Sequence, residues 1–96
     1  MKYFHRTSAP PDQVIELATR RFGGSLTPTE EGPRRRAFSG VLGTVLVTVV
    51  AEGGHYTLVT VATNQPGESE VDRLAKRYLA EVHTLADPGH AIRGAY

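Results

Sequence analysis

The stretch TVLVTVVAEGGHYTLVTVAT, residues 44–63, decides the fold of this chain. Its apolar and hydroxyl residues alternate with a period of two from Thr44 to Ala51 and again from Tyr56 to Thr63, the repeat that sends successive side chains to opposite faces of a strand. Between the runs, Glu52-Gly53-Gly54-His55 supplies adjacent glycines, which enter the left-handed backbone conformations of a tight turn without a Cβ penalty. An antiparallel hairpin is expected. Val45, Val47, Val49, Val59 and Val61 share one of its faces, and Leu46, Val50, Tyr56 and Leu58 share the other with Thr44, Thr48 and Thr60. Both faces are apolar enough to be covered, so the pattern leaves open which of them meets helices. A sheet covered on one side only exposes its second face, and a cluster of exposed apolar side chains marks contact with another chain or a ligand. Leu46, Val50, Tyr56 and Leu58 are therefore candidate interface residues, with a homodimer through the sheet face as the expected partner.

Upstream of the hairpin, Ser25 to Thr29 reads as a short edge strand because Pro28 cannot donate to a central ladder. Glu31-Gly32-Pro33 turns the chain into a strand from Arg34 to Ser39, and Gly40 and Gly43 bracket the next connection. Before these, Lys2 to Thr7 is rich in aromatic and β-favouring residues and reads as a first strand. A helix is expected to begin at Ser8. Pro10 and Pro11 are tolerated in a first turn, Val14, Leu17, Ala18, Arg21 and Phe22 follow helical spacing, and Gly23-Gly24 ends it. Arg20 and Arg21 fall in the last turn, where cations meet the negative end of the helix dipole.

Downstream, Ser69 and Asp72 have capping-box spacing, and Val71, Leu74, Ala75, Tyr78, Val82, Leu85 and Ala86 recur at steps of three and four. Asp87-Pro88-Gly89 stops the pattern. An 18-residue helix runs roughly 27 Å, enough to lie across the hairpin as the lid of the core. The expected architecture is an α+β two-layer sandwich: an antiparallel five-stranded sheet with two helices on one face, in the order β-α-β-β-β-β-α. It forms a single domain over residues 1–96, with an ordered core at about 2–87 and a patternless tail at 88–96.

Composition narrows the function classes. Eleven Lys and Arg against ten Asp and Glu leave a net charge of +1, too balanced for the basic field on which sequence-independent nucleic-acid binding relies. The absence of cysteine removes disulfides, thiolate nucleophiles and cysteine metal sites, so the fold must be held by its core. The start of the chain has no apolar leader, and the longest apolar stretch is broken by Gly43, Thr44 and Thr48, which points to a cytoplasmic protein with no membrane partner. His5, His55, His83 and His90 lie on different elements without metal-ligand spacing, and no serine stands in a nucleophile-elbow context. No catalytic residue, metal or cofactor is expected.

Arg34-Arg35-Arg36 is the one charged run with a functional reading. Alternation puts Arg36 on the face of Phe38, so Arg36 is placed to pair with an acidic ligand group through its planar fork. The bland alternative has Glu30 and Glu31 answer these arginines across the turn. A third reading uses Arg34, Arg35 and Arg36 to bind nucleic acid, against a sheet of threonine and valine that lacks the stacking aromatics such binding uses.

The element order resembles the β-α-β4-α layout of TATA-box-binding-protein-like folds and a reduced form of START-like helix-grip domains. The segment FHRTSAPPDQV, residues 4–14, looks like the opening of START-like polyketide-cyclase and ligand-binding proteins, and Phe38-Ser39-Gly40 followed by the hairpin and the long last helix is similar to that layout. The likeness covers about residues 2–86 and rests on turns and spacing. It supports the fold, and the ligand reading of this chain puts an apolar or acidic small molecule between the last helix and the sheet, with Tyr78 and Val82 as walls, Phe38 as floor and Arg36 as anion partner. The expected function is a small non-enzymatic binding and interaction module. The alternative is a START-like cyclase or dehydratase, in which His5 or His83 would point into the cavity as acid or base.

Overall fold

The computed structural model describes residues 1–86, and the expected tail at 88–96, with His90, lies outside them. The chain runs β1 (Lys2–Thr7), α1 (Pro11–Phe22), β2 (Thr27–Gly32), β3 (Arg35–Gly40), β4 (Gly43–Glu52), β5 (Tyr56–Thr63) and α2 (Glu70–Ala86). The strands form one antiparallel sheet in the order β1-β5-β4-β3-β2, so the first strand pairs with the last and the sheet ends at β1 and β2. The β4–β5 hairpin is the expected one. Val47 stands opposite Val61 and Val49 opposite Val59, and Gly53 and Gly54 turn the chain at φ of 58° and 76°.

The helices resolve which face is inner. Val45, Val47, Val49, Val59 and Val61 are all buried beneath α1 and α2, because the helices bring apolar stripes of their own: Val14, Leu17, Ala18 and Phe22 from α1, and Val71, Ala75, Tyr78 and Val82 from α2. The valines suit this face by shape, since β-branched side chains pack densely on a pleated surface.

The largest differences from the sequence expectation are at the start of α1 and at both ends of β2, while the limits of β3 and β4 move by one residue. Helix α1 begins at Pro11 rather than Ser8, with Pro10 in extended conformation as its N-cap and no side-chain cap. The hydroxyl upstream is used elsewhere: Thr7 Oγ1 accepts from the Ala9 amide at 3.1 Å, and Thr57 Oγ1 donates to the Ala9 carbonyl at 2.9 Å, pinning an extended entry. Strand β2 begins two residues later and extends to Gly32, and Pro33-Arg34 makes the turn into β3. A register shift between Pro28 and Glu30 accommodates the proline at this edge.

Helix α2 begins where the capping-box spacing places it, but only one half of the box forms, since the Ser69 amide donates to the Pro66 carbonyl at 3.3 Å rather than to Asp72. The Asp72 amide donates to Ser69 Oγ at 3.2 Å, and the Ser69 hydroxyl donates to the Asp72 carboxylate.

Candidate functional site

The face of the sheet turned away from the helices carries the side chains that alternation puts opposite the core valines. Its middle row, read across the register, is Phe4, Thr60, Thr48 and Arg35. On one side of that row stand Leu58 and Val50, with Tyr56 beyond them; on the other stand Ala62, Leu46 and Ala37. Phe4 is 62% exposed, Tyr56 56% and Val50 55%, while Leu46 and Leu58 are half-buried by their neighbours. Large side chains thus form a ridge over β1, β5 and β4. Small ones leave a shallow depression of about 310 Å³ at the other end, lined by Ala37, Ser39, Leu46 and Ala62 with Glu30 and Arg35 at its rim.

All four expected interface residues, Leu46, Val50, Tyr56 and Leu58, lie on this one face. Phe4 joins them and was missed by sequence reading. Its alternation with Lys2 and Arg6 was visible, but only the long-range pairing of β1 with β5 places it beside Leu58 and Thr60.

Charge is neutralised locally around the face. Arg6 Nε meets Glu52 Oε1 at 2.7 Å and Arg35 Nε meets Glu30 Oε2 at 2.8 Å. The rest of the arginine run is also answered. Arg34 pairs with Asp12 of α1 at 2.6 Å. Arg36 is turned inward, with its side chain 19% exposed, and donates to the Gly32 carbonyl at 3.0 Å and to Thr19 Oγ1 at 3.2 Å, with Glu31 at 3.9 Å. Glu30 and Glu31, the partners anticipated across the turn, are found beside Arg35 and Arg36, whereas Arg34 goes to Asp12 instead.

The space where the sequence places a small ligand is filled by aromatic packing. Phe38, Tyr78 and Val82 are core side chains no more than 1% exposed. The Phe22 ring lies 5.5 Å from Phe38 and 5.2 Å from Tyr78, and the Tyr78 hydroxyl donates to the Val14 carbonyl at 2.7 Å. Burial pushes the Tyr78 phenol far above its ordinary pKa. Arg36 reaches toward α1 through Thr19, so it does not stand with Tyr78 and Val82 as one wall.

Two histidines separated in sequence meet in the fold. His5 of β1 and His83 of α2 pack edge to face with centroids 5.9 Å apart. The His5 Nε2 is buried without a hydrogen-bond partner among the described residues, and burial, followed by the proximity of His83, holds its pKa below the ordinary value. Among the described residues no group of three or more His, Cys, Asp or Glu is placed to hold a metal ion, and no helix is long and apolar enough to cross a membrane.

A polar hub also escaped sequence reading. Besides the Ser69 hydroxyl, the buried Asp72 carboxylate accepts hydrogen bonds from Tyr3 Oη and Thr63 Oγ1, both at 2.8 Å. Burial works to raise its pKa, but the hydrogen bonds from Ser69, Tyr3 and Thr63, together with the Met1 amino group, hold it below the ordinary carboxylate value. No family model matches this chain, and no curated protein matches it.

Proposed function

We propose that the chain is a small non-enzymatic interaction module that associates with a second copy of itself through the outer face of its sheet. The observation that carries this is the half-greasy face left uncovered when both helices pack on the valine side: Phe4, Val50, Tyr56 and Leu58 form one group on it, and Leu46 stands on the same face beyond the Thr48–Thr60 pair. Isolated exposed apolar residues are ordinary on any protein, whereas a contiguous group of this kind marks a contact surface. Size sets the expected strength. A face five strands wide at about 4.8 Å spacing and about 20 Å along the strands presents roughly 500 Å², so two faces cover about 1,000 Å², the lower bound for a specific interface. Association is therefore weak and depends on concentration.

Nucleic-acid binding has less support, because Arg34, Arg35 and Arg36 each already face an acidic side chain. The test is sedimentation velocity over a wide concentration series, comparing the natural chain with Leu58→Lys. The natural chain is expected to shift reversibly from monomer to dimer, and the lysine variant to stay monomeric with unchanged circular dichroism. A natural chain that stays monomeric throughout overturns the proposal.

A further inference from the structure

The ridge and the hollow occupy opposite ends of the same face. In β4, Val50 lies two residues to one side of Thr48 and Leu46 two residues to the other, so ridge and hollow are centred about 13 Å apart along the strand. Thr48 and Thr60, directly paired, stand between them. A two-fold axis lying in the plane of the face, passing close to this threonine pair and inclined to the row that Phe4 shares with it, exchanges the two ends and carries Phe4 toward Ala62 and Val50 toward Ala37. It sets the ridge of one copy over the hollow of the other, twice.

From this arrangement we infer that the dimer is an isologous, face-to-face pair in which Phe4 of each copy seats over Ala62 of the other and Val50 over Ala37. The inference rests on self-association through this face. Three features support it. The depression has a volume of about 310 Å³, room for a large side chain, and its floor is made of the small residues Ala37 and Ala62 beside Leu46. The ridge supplies the matching bulk, since Phe4 and Val50 are more than half exposed in the single chain. The rim does not oppose contact: the Arg6–Glu52 pair at the ridge end and the Arg35–Glu30 pair at the hollow end are each internally neutral, which leaves Lys2 at the β1 edge. A contact that satisfies both ends by one symmetry operation closes at two subunits, whereas a ridge meeting a hollow by translation would build an open chain of copies.

The experiment swaps bulk between ridge and hollow. Ala62→Phe fills the hollow, so that two phenylalanines compete for one space, and dimerisation should weaken about tenfold or more. Phe4→Ala should weaken it comparably by removing the ridge. The double variant Phe4→Ala with Ala62→Phe restores one large and one small partner at each contact and should recover dimerisation to within about threefold of the natural chain. Circular dichroism and the melting temperature establish that each variant is folded, and an equimolar mixture of the two single variants, which should form a heterodimer, offers a second readout that does not need the double variant to fold. If Ala62→Phe strengthens association while Leu58→Lys still abolishes it, the face is the interface but this seating is wrong. If the double variant and the mixture are both as weak as the single variants, the seating is likewise overturned. A natural chain that never dimerises removes the seating and the self-association together. Particles growing beyond two subunits overturn the two-fold arrangement.

Discussion

The Tyr3 hydroxyl of β1 donates a hydrogen bond to Oδ1 of Asp72 in α2 at 2.8 Å, joining side chains 69 positions apart. The same oxygen accepts from Thr63 of β5, so one buried carboxylate ties the edge strand, its neighbour and the N-terminus of the lid helix. A carboxylate is suited to this place because all three side-chain neighbours, Tyr3, Thr63 and Ser69, offer hydroxyl donors. An amide would present its NH₂ to one of them. Asp72→Asn is therefore expected to destabilise the fold by about 2–3 kcal/mol, and Tyr3→Phe by less, read from urea denaturation at neutral pH.

The carboxylate also sets an acid limit. Its pKa is lowered in the folded state, so its stabilising contribution is complete above the unfolded value of about 3.9 and disappears as pH falls through the lower folded value. The Asp72→Asn chain should lose less stability than the natural one between neutral pH and the acid range. Parallel slopes for the two would show that Asp72 does not contribute to acid unfolding.

His5 gives a second pH dependence in a higher window. Its folded pKa lies below the ordinary 6.5 because of burial first and His83 second, so the unfolded chain binds the proton more readily than the folded one. Between those two values the unfolded state carries more protons, and stability rises with pH. The contribution is full above about 6.5, declines as pH falls through that value, and levels off below the folded pKa. His5→Phe, which keeps an aromatic edge for His83 and has no buried nitrogen to satisfy, should flatten the urea midpoint across this window. A slope unchanged by the substitution would assign it to another group.

What could be read in the sequence divides along physical lines. The hairpin at residues 44–63 was legible because both of its strands have buried faces and its turn has adjacent glycines, so pattern and turn chemistry agree. The limits of β2 were not, because an edge strand with every side chain from Thr27 to Glu31 exposed leaves no burial pattern. Ser8 misled as a helix start because Pro10 caps α1 by backbone conformation alone. The outer-face residues on β4 and β5 were grouped correctly by alternation, whereas Phe4, the His5–His83 contact and the Tyr3–Asp72 bond depend on β1 pairing with β5 and lying near α2, which no local period encodes. The expectation of a ligand between helix and sheet failed to foresee that Phe22 of α1 would meet both Phe38 and Tyr78.

Tyr78 is the largest fully buried side chain and spends its one polar group on the Val14 carbonyl, linking the two helices. Tyr78→Phe keeps the ring contacts with Phe22 and loses only that bond, at a cost of about 1–1.5 kcal/mol. Tyr78→Ala empties the centre of the core and should cost about 3–5 kcal/mol, enough to unfold a marginal domain of this size. Thermal unfolding of both variants checks the ratio. Equal losses would mean that the hydrogen bond, rather than ring packing, holds the helices together.

Gly43 and Gly53 both have positive φ, at 135° and 58°, yet they should respond differently to alanine. At Gly53 an added Cβ meets nothing within 4 Å, and the conformation is the left-handed one that other residues enter at modest cost, so Gly53→Ala should destabilise by about 1 kcal/mol. At Gly43 the φ is far from any region open to L-residues, and a Cβ would stand 2.7 Å from Asn64 Oδ1. That oxygen accepts the Thr44 amide at 2.8 Å, so displacing it breaks a bond between the start of β4 and the end of β5. Gly43→Ala is expected to cost about 2–3 kcal/mol, combining backbone strain with the lost hydrogen bond. Adding Gly43→Ala to an Asn64→Gly chain separates the two contributions: with the acceptor and its contact already gone, the alanine should cost only the backbone strain, so less than in the natural chain. No further loss in the urea midpoint on adding it would show that the contact with Asn64, and not φ, is what requires glycine there.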